Sequence, residues 1–236
     1  MGDNDTRIEL TGVRGVPESA LSHALVATLP RNEAPAPWEC RCSALLWLGR
    51  GGRAAAAALP PALSGNPALV TLGAFVRYTD TPVGAYDEVL GIVGSRSGLR
   101  PWGNVAFMSV DSESSLVGGR TNWAMPKTLA RFDGELADGN LITGSSTSEP
   151  SWTVSATPRV KGPALPLKVK GSARQQFADG RVGDSLLTFN GRIRPALVTV
   201  GVSSSGPLPT WLRPGLHLGA YVEEATFTLG EPRFAD

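Results

Sequence analysis

The feature that most constrains the fold is a long succession of short strand-like segments, which begins at Trp38. From Trp38 to Leu48 the side chains alternate between two sets, which is the two-residue period of a β-strand. Further strand-like segments lie at residues 67–78, 86–93, 104–110, 115–118, 129–135, 139–146, 150–157, 165–171, 184–190, 195–202 and 219–229. About ten strands and few helical stretches are typical of an antiparallel barrel or sandwich.

Turn and helix signals complete this picture. Turn dipeptides separate some of the strands, namely Asp138-Gly139, Asp179-Gly180 and Asn190-Gly191. The strongest helix-forming run is residues 53–59, which contains five alanines and is stopped by Pro60-Pro61. A second short helix is predicted within residues 17–26. We therefore predict a mainly β (α+β) fold with one or two short helices.

The domain organisation follows from where the strand pattern begins. Residues 1–37 are interpreted as an N-terminal extension that packs poorly, because a polar, Pro-rich stretch closes it at residues 30–37. Residues 38–236 are predicted to form a single domain, a size that one all-β domain accommodates.

Composition excludes several classes of function. A net charge of +1 gives no electrostatic reason for binding nucleic acid or an anionic membrane. No apolar run approaches the roughly 20 residues of a membrane-spanning helix, and residues 1–10 are polar and lack the apolar core of a signal peptide. Two cysteines two residues apart and two distant histidines do not make a convincing metal site. We expect a soluble cytoplasmic protein without a metal, a cofactor or a nucleic-acid partner.

One lysine lies in an unusual stretch, Gly119 to Leu129, where charge is sparse. Lys127 follows Trp123, Met125 and Pro126. A lysine held among apolar groups loses part of its charge and becomes an amine nucleophile that can form a Schiff base with a ketone. The alternative is an ordinary solvated cation, which is the usual state of a lysine.

Two further groups of charged residues lie on predicted strands. Glu39 and Arg41 share one face of the first strand, and Glu88 lies between apolar neighbours on another. On residue type alone, charged strand residues usually face water. Because Glu39 and Arg41 can pair with each other, Arg41 is not necessarily free to bind a substrate.

The stretch resembles a family signature. Gly119-Arg120, five intervening residues and Pro126-Lys127 are similar to the signature of the acetoacetate decarboxylase family. The resemblance extends to residues 110–117, interpreted as a hairpin, to the short helix that ends at residues 59–63, and to a final strand at residues 222–226. It covers Trp38 to the C-terminus. It implies a largely antiparallel β cone or barrel with a few helices, assembled into homo-oligomers.

The resemblance also implies roles for individual residues. Lys127 corresponds to the lysine that forms the Schiff base, and Glu88 to a pocket glutamate that would move protons. Arg41 corresponds to an arginine that faces the substrate carboxylate, which it would bind through paired hydrogen bonds. We expect Trp123 and Met125 to form the wall of the substrate pocket. The implied partner is a small-molecule keto acid or ketone.

The sequence departs from the family pattern at three positions. Thr128 replaces a second lysine, Thr121 replaces a glutamate, and no acid is found near Gly73 or Ala74. Three functions therefore stay open. The first is a Schiff-base lyase that decarboxylates a β-keto acid. The second is an aldolase, dehydratase or cyclase that acts through a lysine imine on a larger keto substrate of a natural-product pathway, and the third is a non-catalytic ligand-binding relative.

Overall fold

A computed structural model describes residues 10–234, and ten strands within this range form one sheet. The strands are β1 (Trp38–Arg50), β2 (Val70–Asp80), β3 (Tyr86–Ser97), β4 (Arg100–Val110), β5 (Lys127–Gly134), β6 (Ile142–Ser146), β7 (Trp152–Val160), β8 (Leu165–Gln176), β9 (Val182–Ser204) and β10 (Gly215–Phe234). The helices include α1 (His23–Thr28), α2 (Arg53–Ala57), α3 (Glu113–Trp123) and α4 (Leu208–Trp211). The prediction of a mainly β fold with about ten strands and few short helices is confirmed.

The strands follow the order β10-β1-β2-β3-β4-β5-β6-β7-β9-β8. The additional pairing of β10, at one end of this order, with β9, the last strand but one at the other end, means that the sheet curves back on itself. Neighbouring strands are antiparallel except where β5 runs parallel to β4 over three residue pairs and β8 meets β4 in parallel at a single pair. The parallel pairing is possible because α3 connects β4 to β5 and reverses the direction of the chain.

The two faces of the sheet bury different clusters. Alternate residues of β1 illustrate this, because Leu45 and Trp47 pack into one apolar core while Cys40, Cys42 and Ala44 belong to the other. The first core is filled by large side chains such as those of residues 75, 107, 152 and 211. The second surrounds the cavity that contains Lys127. In β1 the apolar residues are therefore continuous from Ala44 to Trp47, where both faces are covered, and they alternate with polar residues over 38–42, where one face is exposed.

Two local predictions were wrong. Residues 110–117 do not form a hairpin, because α3 begins at Glu113 with the Ser112 hydroxyl accepting a hydrogen bond from the backbone N–H of Ser115. Asn190-Gly191 is not a turn, because β9 runs through it without a break and pairs there with both β8 and β10. The close approach of Ala225 to Gly191 gives the glycine a packing role in the sheet instead.

The described part of the N-terminal extension, residues 10–37, packs against the sheet, so the expectation of a poorly packed lead-in was wrong there. Leu10, Val16 and Val26 are at most 6% exposed. The backbone N–H of Val16 donates to the carbonyl of Ala106 on β4. The boundary at residue 37 stays a prediction. No helix in residues 10–234 has the length and apolar character needed to cross a membrane.

Candidate active site

Lys127 is the first residue of β5 and is placed there by the end of α3. Ala124 adopts a left-handed conformation (φ 52°) that ends the helix, and its N–H donates to the carbonyl of Arg120. The backbone N–H of Met125 donates to the carbonyl of Gly119. Pro126 cannot continue a helix, so the chain leaves α3 as a strand that pairs Lys127 with Met108. This geometry aims the lysine side chain into the sheet.

The Lys127 amine is buried and surrounded by oxygen atoms. Its side chain is 4% exposed, and Nζ lies 2.9 Å from Oε2 of Glu88. Nζ also donates to the hydroxyl of Ser115 at 2.8 Å and to that of Tyr86 at 3.4 Å. The amine therefore contacts one carboxylate and two hydroxyl groups inside an otherwise apolar region.

Glu88 reaches this position from the middle of β3. It pairs with Val76 on β2 and with Val110 on β4, so its strand has a neighbour on both sides. Its other oxygen, Oε1, accepts a hydrogen bond from the hydroxyl of Tyr78 at 3.3 Å. A buried carboxylate needs a countercharge or several hydrogen bonds; Lys127 supplies the countercharge, and Tyr78 supplies one hydrogen bond.

Aromatic rings enclose the pair. Tyr78 and Tyr86 face each other across β2 and β3 with ring centroids 4.5 Å apart. Nζ of Lys127 lies 5.0 Å from the centroid of the Tyr86 ring and 5.9 Å from that of Trp38. Burial raises the pKa of both tyrosines well above the ordinary value, so that the two hydroxyl groups stay protonated near neutral pH.

Arg120, on the last turn of α3, fastens the lysine backbone to the N-terminal extension. Its Nε donates to the carbonyl of Lys127 at 2.6 Å, and its two terminal nitrogens donate to the carbonyls of Leu10 and Ser19. Burial lowers the pKa of Arg120 to about 9, which leaves the guanidinium charged at neutral pH. Arg120 thus does not line the cavity, and its hydrogen bonds hold the segment that carries Lys127 in place.

The amine opens into a cavity of about 580 Å³. Among the described residues that line it, Lys127 and Glu88 are the only two with charged side chains. The remaining wall is mostly aliphatic and aromatic, and it includes Trp123 and Met125, which the sequence placed in a substrate pocket. The cavity wall is therefore mostly apolar, and among the described lining residues its charges are confined to one buried pair.

Cys40 and Cys42 form part of this wall as free thiols. Burial raises the pKa of each thiol to about 12, and the nearby Glu88 carboxylate acts in the same direction. Both cysteines therefore act as small apolar residues at neutral pH.

Arg41 is not among the described residues that line the cavity, so the structure does not bring it together with Lys127 and Glu88, and its binding of a substrate carboxylate stays a prediction. Its side chain is exposed, as is that of Glu39, because successive residues of a strand face opposite sides. Cys40 and Cys42, on either side of it, point inward instead. The resemblance to the family also predicts an acid near Gly73 or Ala74, which this sequence lacks. Of these two residues, Ala74 lines the cavity, whereas Gly73 packs under the Trp47 ring.

Sequence reasoning missed four contacts of the pair. Tyr78, Tyr86, Ser115 and Trp38 were not singled out. One signal was present, because Tyr86 and Glu88 are two residues apart and share a strand face. The other three depend on strand register and on a helix that was interpreted as a hairpin. Within residues 10–234, no three His, Cys, Asp or Glu side chains come together as a metal site.

Comparison with known proteins connects the chain to one family. The sequence model described as "Acetoacetate decarboxylase (ADC)" matches residues 51–233. A search of curated protein sequences finds no significant match.

Several solved structures share the fold. Acetoacetate decarboxylase from Legionella pneumophila subsp. pneumophila str. Philadelphia 1 is 17% identical with a TM-score of 0.62, covering 89% of this chain and 92% of that chain. An acetoacetate decarboxylase-like enzyme from Sphingomonas wittichii RW1 is 16% identical with a TM-score of 0.62, covering 86% and 94%. The enduracididine biosynthesis enzyme MppR, complexed with pyruvate, is 16% identical with a TM-score of 0.60, covering 85% and 91%. A further MppR structure contains the condensation product of pyruvate and imidazole 4-carboxaldehyde.

Proposed function

Because the chain belongs to the acetoacetate decarboxylase family, we propose that it is a carbon–carbon lyase in which Lys127 forms a Schiff base with a ketone. The observation that carries this proposal is the buried contact of 2.9 Å between Nζ of Lys127 and Oε2 of Glu88. An isolated buried ion pair contributes little to stability, so its presence at the end of a cavity favours a chemical role.

The first step is the release of the amine. Glu88 accepts a proton from the Lys127 ammonium across the 2.9 Å contact, which leaves a neutral amine and a neutral acid. The amine nitrogen then adds to the ketone carbon, and one of its own protons passes to the former carbonyl oxygen to give a neutral carbinolamine. Glu88 returns its proton to the departing hydroxyl, and water leaves as the iminium forms.

The iminium then acts as an electron sink. The bond between the carbons α and β to the iminium carbon breaks, and its electron pair forms an enamine. The β carbon leaves as carbon dioxide if it is a carboxylate, or as an aldehyde if it carries a hydroxyl group that gives up its proton. Reversal of this step joins the enamine to an aldehyde carbon. The hydroxyl groups of Tyr86 and Ser115, which contact the amine before reaction, are placed to bind the carbinolamine oxygen.

The wall of the cavity favours the larger keto substrate over acetoacetate. With Arg41 on the outer face, the described lining offers a substrate carboxylate no cation besides Lys127 itself. A carboxylate without a partner in such a wall is costly. Aldol-type cleavage or condensation on an uncharged ketone meets no such penalty, and MppR shows that a protein of this fold has been seen with a condensation product.

Decarboxylation of a β-keto acid is the second candidate. It is supported by the family and by the apolar wall, because a carboxylate that is removed from water is destabilised relative to neutral carbon dioxide. The non-catalytic reading has less support, since a binding module has no need for a lysine and a glutamate buried together.

Exchange of α-protons tests the Schiff-base function without knowledge of the natural substrate. An enamine takes up deuterium from D₂O, so NMR of 2-heptanone reports imine and enamine formation directly. We expect exchange with the unaltered protein and only the buffer rate with Lys127→Ala, whose fold is checked by circular dichroism. Equal exchange by the two proteins would refute the mechanism. Carbon dioxide release from 3-oxo acids then separates the two candidates.

A further inference from the structure

The cavity wall along β1 becomes more exposed with distance from the lysine. Trp38, whose ring lies over the Lys127 amine, is 3% exposed, and Ala44 is 4% exposed. Leu48, which lines the same cavity further along the strand, is 50% exposed. Ten residues of strand separate Trp38 from Leu48 and span about 33 Å. The amine therefore lies at the closed end of a deep channel.

Side-chain exposure changes in the same way along the neighbouring strand β10, which runs antiparallel to β1. Trp38 pairs with Leu229, which is 4% exposed, and Val222 in the middle is fully buried. Leu218, near the partner of Trp47, is 72% exposed and lines the cavity. Leu48 and Leu218 therefore mark the mouth of the channel.

The wall between these ends carries no charge among the described residues. It consists of side chains such as Leu46, Leu72, Leu90 and Ile92, with the single ion pair confined to the closed end. Any charged group placed midway would lose its hydration without gaining a partner. The part of a substrate that lies between Lys127 and the mouth must accordingly be apolar.

The volume also argues for a substantial ligand. A cavity of 580 Å³ lies in the range of about 300–1,000 Å³ that drug-sized ligands occupy. A keto acid of a few carbon atoms would leave most of this apolar wall in contact with water. On the basis of the proposed Schiff-base function, we propose that the substrate is an uncharged ketone with a long apolar body. Its carbonyl carbon meets Lys127, and its body extends toward Leu48 and Leu218.

Reductive trapping across a series of ketones tests this substrate class. The Lys127 amine and the ketone form an imine with loss of water, and hydride from cyanoborohydride reduces the C=N bond to a stable secondary amine. We expect the concentration for half-maximal trapping to fall about fourfold per methylene over the first members from acetone toward 2-undecanone. Pyruvate and levulinate are expected to trap more weakly than 2-heptanone.

A substitution in the outer part of the channel provides the structural control. Gly171 on β8 lines the cavity, and a Cβ built there meets no atom within 4 Å. It lies near the pairing of Gly103 with Ala173, about 17 Å along β4 from the residue that pairs with Lys127. We expect Gly171→Leu to weaken trapping of 2-undecanone about tenfold relative to acetone. The exposed neighbour Lys170, changed to alanine, should leave that ratio unaltered.

The outcomes separate the two proposals. Adducts that form equally well with acetone and 2-undecanone, or best with pyruvate, would overturn the apolar substrate class and leave the Schiff-base function standing. An unchanged selectivity ratio in a folded Gly171→Leu variant would also overturn it. Absence of any adduct across the series would instead refute the Schiff-base function on which the inference rests.

Discussion

Oε2 of Glu88 lies 2.9 Å from Nζ of Lys127, and neither side chain is more than 4% exposed. The pair is built from the middle of β3 and the first residue of β5, two strands that are not adjacent in the sheet. A proton can pass between the two groups without reaching bulk water. This contact is the basis for the chemical role assigned to the cavity.

Glu88→Gln tests the proton-transfer role. Glutamine fills the same volume but cannot accept the lysine proton, so we expect the rate of α-proton exchange in 2-heptanone to fall about 10²–10⁴-fold. Asp87→Asn is a matched control, because Asp87 is the adjacent residue and pairs with Arg77 on the opposite face. An exchange rate within about twofold of the unaltered protein for Glu88→Gln would contradict proton transfer by Glu88.

The buried pair also predicts a pattern of stabilities. Glu88→Leu alone leaves an unpaired lysine in an apolar cavity, and we expect the free energy of unfolding in urea to fall by about 3–5 kcal/mol. In the double variant Lys127→Met/Glu88→Leu, both charges are gone and most of this loss should be recovered. A double variant as unstable as Glu88→Leu would show that the two side chains do not stabilise each other.

Gly119→Ala should displace the Lys127 side chain while the helix stays intact. A Cβ at Gly119 would lie 2.5 Å from Cδ and 2.6 Å from Cε of Lys127, so the lysine stem must move. Because the amine is displaced, we expect α-proton exchange to be at least tenfold slower. We expect no large loss of stability, because alanine favours a helix by about 1 kcal/mol over glycine. Gly171→Ala, where the added Cβ meets nothing, is the comparison for stability. Full activity in Gly119→Ala would contradict the position of the stem.

Arg120→Lys tests the link between the lysine segment and the N-terminal extension. An ammonium group cannot reach the carbonyls of Lys127, Leu10 and Ser19 together in the geometry of a guanidinium. We expect the free energy of unfolding to fall by about 2–4 kcal/mol. Amide hydrogen exchange should quicken in residues 10–29, and unchanged protection there would refute the link.

The two cavity thiols predict how stability changes with alkaline pH. The pKa of each is about 12 in the folded protein against 9.0 ordinarily, so between pH 9 and pH 12 the unfolded chain releases protons that the folded chain keeps. Stability from this source is therefore complete below pH 9 and falls as the pH rises. In urea titrations from pH 8 to pH 11, Cys40→Ala/Cys42→Ala should show a shallower decline than the unaltered protein. Parallel declines would contradict the burial of the thiols.

Much of the architecture was predictable, because the two-residue alternation of side chains in a strand can be recognised from neighbouring residues alone. The strand count followed from alternation, and the stretch from Gly119 to Leu129 identified one lysine among four in the chain. The structure brings Lys127, Glu88, Trp123 and Met125 to one cavity, and their roles in catalysis and binding stay predictions. Arg41 could not be placed from resemblance alone, since a shift of one residue along a strand exchanges the inner face for the outer one.

The errors share a physical cause. The helix α3, which contains Gly118 and Gly119, is buried on most sides, so its sequence lacks the polar stripe of a surface helix and residues 115–118 fit a strand instead. Both glycines are required by close neighbours, because Trp38 packs on Gly118 and the Lys127 stem on Gly119. Asn190-Gly191 predicted a turn, but Gly191 lies within β9 and is likewise required by a close neighbour, Ala225. In a sequence, glycine indicates a backbone that can turn, whereas these glycines are required because residues from distant segments pack closely against them.

The most direct test of the central claim is peptide mapping after cyanoborohydride trapping with 2-heptanone. The chain has four lysines, and Lys161, Lys168 and Lys170 are exposed internal controls for nonspecific reaction. We predict that the adduct forms on Lys127 first and that Glu88→Gln lowers its yield. Adducts on the three exposed lysines with Lys127 unmodified would contradict the account.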